Sequence, residues 1–306
     1  MIEQVGKVKI DLEYYSGQDL YSDGVIEDEI LDFVKSHTSE QYDKFINEKK
    51  DWAVLYHLSP VRANIVSSLA ISKEDSVLEI GSGCGAITGR LCEMAKTVTC
   101  IELSKKRSLI NAYRNRDKDN LDILVGNFET VEKNLAEKYD VVTMIGVYEY
   151  AASYIHSENP YIDFIRIAMA HLKPGGKLVI AIENRFGLKY FAGCREDHVG
   201  IYYEGLEGYT NTSVVKTFTK EELILNLNRA GYEKLKFYYP YPDYKFPFKI
   251  YSDEYLPAKG ELTMNILNMD QNREILFDES KVYDSIADTS LFPVFSNSYL
   301  IEVVNE

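Results

Sequence analysis

Nine residues, Val77 to Gly85, reading VLEIGSGCG, constrain this 306-residue chain more than any other stretch. An apolar run that ends in a carboxylate and then meets three alternating glycines predicts a β-strand, a tight turn and a following helix. Glycine gives the turn its backbone freedom and lets a ligand approach where a Cβ would stand in the way. The helix expected from about Ala86 to Ala95 aims its free N–H groups and dipole at any anion resting on the turn. Gly81, Gly83 and Ala86 also satisfy the G-x-G-x-x-A spacing of a dinucleotide fingerprint, so the glycines alone leave the ligand open.

Context narrows the choice. Glu79 stands two residues before the first glycine, where it would repel a pyrophosphate and attract a positively charged ligand. Gly85 extends the pattern to E-x-G-x-G-x-G, and in this form the chain resembles the first motif of the class I S-adenosylmethionine (SAM) dependent methyltransferases. The resemblance implies a Rossmann-like α/β fold, doubly wound on a mostly parallel seven-stranded sheet, with SAM lying across the carboxyl ends of the strands. It implies that Glu79 faces the methionine portion and that Gly81, Ser82, Gly83 and Gly85 form the loop beneath the cofactor.

Further landmarks follow in the family's order. VTCIE, Val98 to Glu102, reads as the second strand, and Glu102 lies 21 residues after Gly81, the spacing expected of a carboxylate that grips ribose hydroxyls, with Leu103 beside it. LDILV, Leu121 to Val125, leads into Gly126, Asn127 and Phe128. The family commonly has Asp where Asn127 stands; an amide oxygen still accepts a bond from the adenine amino group, and Phe128 is expected on the adenine face. After the fourth strand, Tyr139 to Ile145, the loop with Gly146 and Tyr148 is expected to border both SAM and substrate.

Ile162, Ile165, Met169 and Leu172 recur at helical spacing, and Pro174, Gly175 and Gly176 are expected to stop that helix before a fifth strand, KLVIAIEN. Thr219 and Glu222 form a capping box for a helix that Gly231 ends. GYEKLKFYY and NSYLIEVV supply the last two strands. This reading gives an N-terminal helical extension and lid at 1–71 and a methyltransferase domain at 72–306, with inserts near the cleft at about 184–215 and 240–295. Pro240, Pro242, Pro247 and Pro257 argue against a long helix or central strand in the second insert. The 24 tyrosines suit either a sugar-like substrate or packing of the inserts.

A net charge of −14 argues against nucleic-acid partners, and Lys105, Lys106 and Arg107 read as a solvated surface at the start of a helix. No apolar run reaches membrane-spanning length and the first residues lack signal-peptide character, so no membrane association and a cytoplasmic location are expected. Cys84, Cys92, Cys100 and Cys194 have no paired spacing and read as reduced thiols.

Chemistry is expected from the segments beyond the strands' carboxyl ends. His198 is the first candidate for a general base, because imidazole titrates near neutrality and Glu196 and Asp197 adjoin it; His57 is the second. Tyr148, Glu183, Asn184, Arg185, Glu196 and Asp197 are expected on the substrate side. No metal is expected from ligand spacing. ENRFGLKYFAG, followed by EDH and EGLEGY, resembles a methyltransferase subgroup encoded with bacterial surface-polysaccharide assembly enzymes. The expected function is methyl transfer from SAM to a small-molecule or saccharide-like (glycan) acceptor, at oxygen. Two alternatives stand beside it: a non-catalytic SAM- or nucleoside-binding module or partner subunit of a glycan-assembly system, and an NAD-dependent oxidoreductase.

Overall fold

A computed structural model describes residues 1–212, 214–265 and 271–306. Ten strands are described: β1 (Ile2–Val5), β2 (Val8–Asp11), β3 (Ser76–Ile80), β4 (Thr97–Glu102), β5 (Leu121–Val125), β6 (Tyr139–Ile145), β7 (Leu172–Glu183), β8 (Leu235–Tyr241), β9 (Lys249–Ser252) and β10 (Ser298–Val304). The chain divides into two units. The first comprises Met1–Met144, Ile167–Leu178 and Asn305–Glu306; the second comprises Ile145–Arg166 and Val179–Val304. Residues 1–71 thus share a unit with the glycine loop.

In the first unit the strands run β1-β2-β5-β4-β3-β6. β2, β5, β4, β3 and β6 are parallel, and β1 pairs with β2 as an antiparallel hairpin. Val77, Leu78 and Ile80 of β3 are buried, the continuous apolar run of a strand covered on both faces. From β3 the chain steps outward through β4 to β5, then places β6 on the other side of β3. The switch point of this order lies at the carboxyl end of β3, where ligands of open α/β sheets bind, and the glycine loop begins there.

The extension packs on that loop. Helices Ile26–Ser36, Tyr42–Lys49 and Trp52–Leu58 contribute Ile30, Val34, Tyr42, Phe45, Val54 and Leu58 to an apolar cluster that includes Cys84 and Ile110. The basic triplet departs from the solvated surface expected of it. Arg107 is buried, its Nε 2.7 Å from Glu27 Oε1 and its Nη2 2.7 Å from Asp23 Oδ2. Lys105 reaches Glu3 at 2.6 Å and Lys106 reaches Asp28 at 2.7 Å. The acids of the extension and the bases of helix Lys105–Arg114 are therefore partners.

In the second unit the order is β7-β10-β8-β9, with β10–β8 and β8–β9 antiparallel; β7 starts in the first unit. The capping box at Thr219 and Glu222 forms as expected, and Gly231 ends helix Lys220–Ala230 at φ +106°. Tyr239, Tyr283, Tyr299 and Phe292 are fully buried, with Tyr239 and Phe292 edge-to-face at 5.7 Å. These tyrosines of the insert and its flanking strands pack a core.

Ten strands replace the expected seven. IEQVGKVKID is a hairpin turned at Gly6, φ +60°, with the period-2 alternation of a strand. β8 continues through Pro240, which faces Ile250 of β9, so the proline-rich insert does enter the sheet, at its edge. β7 starts at Leu172 and runs through Pro174, Gly175 and Gly176 instead of following them. There Gly175 donates to the Asn305 carbonyl at 2.7 Å and Asn305 donates to the Gly176 carbonyl at 2.9 Å, hydrogen bonds that keep the segment extended.

Arg107→Ala should destabilise the protein by about 3–5 kcal/mol, because Glu27 would keep a buried and uncompensated charge. Urea unfolding measures this, and a change under about 1 kcal/mol would mean that the network is solvated.

Candidate functional site

Three glycines divide the work of the loop. Gly81, Gly83 and Gly85 have φ of +72°, +52° and +74°, a region that favours glycine. A Cβ on Gly85 would lie 2.2 Å from Asn111 Oδ1, so Gly85 permits close packing of loop and helix. A Cβ on Gly83 would meet no protein atom within 4 Å, so Gly83 presents bare backbone to open space. Asn111 Nδ2 donates to Ser82 Oγ at 3.3 Å and to Thr88 Oγ1 at 3.1 Å, which fixes the loop from below.

Two carboxylates flank this turn. Glu102 closes β4 and accepts the Gly83 N–H on Oε2 at 2.8 Å and the Ser104 N–H on Oε1 at 2.9 Å. A carboxylate has about four lone-pair sites, so two acceptor sites remain for a diol. Burial raises the pKa of Glu102, opposed by the Ser104 N–H, the Arg107 charge and the Gly83 N–H. Glu79 lies in β3 opposite Cys100 of β4 and is only 2% exposed. Its Oε2 accepts from Thr88 Oγ1 at 2.7 Å and from Cys100 Sγ at 3.2 Å, while Oε1 has no partner. Burial pushes the Glu79 carboxyl up to about 7. An orphaned buried carboxylate oxygen and a bare-backbone cradle both fit a cationic ligand with a diol, which SAM is.

The other expected cofactor residues are engaged locally. Asn127 caps helix Phe128–Val131, its side chain accepting the Glu129 N–H at 3.1 Å. Phe128 is buried with its ring edge-on to His171 at 6.2 Å. Leu103 is half-buried in the turn after Glu102. His57, the second catalytic candidate, is buried with Nε2 2.7 Å from Asp23 Oδ2, beside Arg107. Burial lowers its pKa against the pull of Asp23. It works inside the ion network that holds the extension.

In the second unit Glu149, Glu183 and His198 come together. His198 Nδ1 is 3.0 Å from Glu196 Oε1, and its Nε2 is 3.6 Å from Glu149 Oε1 and 3.9 Å from Glu183 Oε2. Burial opposes charge on this imidazole, but Glu183, Glu149 and Glu196 overcome it and hold the pKa well above the ordinary value. The carboxylates of this cage favour positive charge at Nε2, whether from a proton or from another cation. A protonated imidazole has no lone pair at Nε2 to receive a proton, which weighs against His198 as a near-neutral base.

Of the expected substrate residues, Glu183 and Glu196 join this cage. Asp197 is held by Lys189 at 2.8 Å and by Lys245, whose charges outweigh burial and keep its carboxyl well below the usual range. Asn184 donates to the Val294 and Ser296 carbonyls at 2.7 Å, Arg185 makes a two-pronged pair with Glu222 at 2.8 and 2.9 Å, and Tyr148 is fully buried with its hydroxyl accepting from Asn226. Those three have structural tasks. Gly146, at φ +69°, packs against the Tyr244 hydroxyl, which a Cβ would approach to 2.8 Å. Lys245 and Lys189 carry no signal of these roles in the sequence, whereas Glu149 lies in the loop after β6 expected to border SAM and substrate.

Glu79→Gln tests the buried carboxyl. A carboxyl raised from 4.5 to about 7 on folding contributes stability below pH 4.5 that is lost as the pH rises through about 7. Wild type should therefore lose about 3 kcal/mol across this window that the Gln variant keeps, measured as Tm against pH. Parallel profiles would place the Glu79 carboxyl in contact with water.

Residues 78–178 match the methyltransferase domain family. The match takes in Glu79, the glycine loop, Glu102, Asn127 and Glu149 and ends before Glu183. The chain is 27% identical over 156 residues to the ubiquinone biosynthesis O-methyltransferase of Coxiella burnetii (strain RSA 493 / Nine Mile phase I), covering 48% of this chain and 62% of that protein. It is 33% identical over 113 residues to the ribosomal RNA small subunit methyltransferase A of Lachnoclostridium phytofermentans, covering 34% and 39%. The chain thus spans less than two thirds of the length of either relative. The solved N-methyltransferase NodS of Bradyrhizobium japonicum WM9, in complex with S-adenosylhomocysteine, is 16% identical over 81% of this chain and 85% of its own, with a TM-score of 0.43. The saccharide acceptor and the link to polysaccharide assembly find no support in these relatives. Over residues 78–178, the part that holds the glycine loop, this chain carries a methyltransferase domain.

Proposed function

We propose that this protein transfers a methyl group from SAM to an oxygen of a small-molecule acceptor. One observation carries the reading: Glu102 holds the bare backbone of Gly83 in place, and Glu79 beside it keeps an unpartnered oxygen. In this reading Glu102 accepts the ribose hydroxyls, Gly81, Ser82, Gly83 and Gly85 cradle the amino-acid portion, and Glu79 balances its positive charge. Asn127, Phe128 and Leu103 border the adenine. SAM, when bound, supplies an electrophilic methyl group, so the chain's main tasks are to orient the acceptor and exclude water.

Oxygen is favoured by the O-methyltransferase among the relatives. The ribosomal RNA enzyme raises nucleic acid as an acceptor, and a net charge of −14 speaks against it, because phosphate contacts require an excess of Lys and Arg. A second reading, SAM binding without catalysis, has in its favour that Glu149, Glu183 and Glu196 surround the base candidate His198.

S-adenosylhomocysteine release from SAM, measured across phenols, alcohols, saccharides and RNA, separates these readings. Turnover should appear with a small hydroxyl compound, whereas turnover with RNA alone would refute the acceptor class. Binding without turnover on any acceptor would favour the second reading. Glu102→Ala should weaken SAM by about 1.5–3 kcal/mol, some 10–150-fold, and an unchanged affinity would remove Glu102 from the ribose.

A further inference from the structure

We infer that Glu149, Glu183 and His198 form a site for one divalent metal ion of the Mn²⁺ or Zn²⁺ class. The cluster lies wholly within the second unit, and one ligand atom from each residue falls within 4.8 Å of the others. The inference does not depend on the acceptor proposed above.

Glu183 and His198 are each half used by the protein and half left over. Glu183 Oε1 takes the Tyr244 hydroxyl at 3.2 Å and the Lys245 ammonium, while its Oε2 has no partner and lies 3.9 Å from His198 Nε2. Glu149 is 1% exposed; its Oε1 is 3.6 Å from Nε2, beyond hydrogen-bond distance, and its Oε2 has no partner. A buried carboxylate oxygen without a donor costs about 1–3 kcal/mol or more, and two such oxygens beside one imidazole have one economical remedy, a shared cation. Ligands about 2.1 Å from a common ion sit roughly 3–3.5 Å apart, slightly closer than these atoms, so a small inward movement completes the site as the ion displaces any Nε2 proton of His198 to solvent.

The surroundings are those of a metal-binding histidine. Its other nitrogen, Nδ1, meets Glu196 at 3.0 Å, the carboxylate–imidazole pairing that sets a ligand's tautomer and ring orientation. Glu196 is itself fixed by the N–H groups of His198 and Val199, at 2.7 and 2.8 Å, and by the Tyr209 hydroxyl at 3.1 Å. Charge points the same way. Glu183, Asp197 and Asp243 pair with the ammonium groups of Lys189 and Lys245, while Glu149 and Glu196 flank His198, which leaves a negative excess for a dication. Two carboxylates and an imidazole, with no thiolate, suit Mn²⁺ or Zn²⁺ and leave further positions open. The other acid–histidine group, Asp23, Glu27 and His57, has the Arg107 guanidinium in its midst, and that fixed cation excludes a metal.

Chelator-treated protein titrated with Mn²⁺ by EPR, and with Zn²⁺ by calorimetry, tests the site. One ion per chain is expected, with Glu149→Gln, Glu183→Gln and His198→Ala each weakening it at least tenfold, Glu196→Gln weakening it about 10–100-fold, and Asp23→Asn leaving it unchanged. Should a variant fail to fold by circular dichroism, Mn²⁺ anomalous scattering from wild-type crystals gives the answer: a peak among the three side chains supports the site. The inference is overturned by the absence of one-to-one binding of both ions below millimolar concentration, by equal binding in every folded variant, or by a peak elsewhere.

Discussion

The hydrogen bond from the Gly83 N–H to the Glu102 carboxylate, 2.8 Å long, ties together most of what makes this chain functional. It joins the turn after β3 to the end of β4, and the second oxygen of the same carboxylate takes the N–H of Ser104, the N-cap of the next helix. Two parallel strands, a glycine turn and a helix start thus converge on one side chain. Glycines in a left-handed conformation are costly to order, so a loop of this kind needs such an anchor to hold one shape.

The two carboxylate-rich clusters illustrate opposite solutions to buried charge. Around Arg107 the acids of the extension meet fixed guanidinium and imidazole groups at hydrogen-bond distance, and the result is a closed network that docks residues 1–71. Around His198 the separations to Glu149 and Glu183 are longer, and two oxygens go unmatched. Unmatched buried polar atoms are rare in folded proteins and call for a specific explanation. A closed network serves stability, and an open one serves binding.

Much of this was legible in the sequence. The glycine loop and the acid at the end of β4 follow from spacing, because apolar runs bounded by glycine and carboxylate have few other uses. The capping box at Thr219 was equally plain, since its chemistry is local. What stayed hidden depends on long-range pairing. Arg107 looked solvated because its partners, Asp23 and Glu27, lie about eighty residues earlier, and β1 and β2 were masked by their short length beside an acidic stretch. The expectation for His198 rested on its intrinsic titration, and Glu149 and Glu183, which change its charge, reach it only through the fold.

Calorimetric titration of the wild-type protein with S-adenosylhomocysteine, with NADH in parallel, tests the cofactor assignment most directly. One equivalent of S-adenosylhomocysteine bound at micromolar affinity, with no heat from NADH, is the predicted result. Binding of NADH in its place would contradict the reading of Glu79 and Glu102 and return the glycine loop to a dinucleotide.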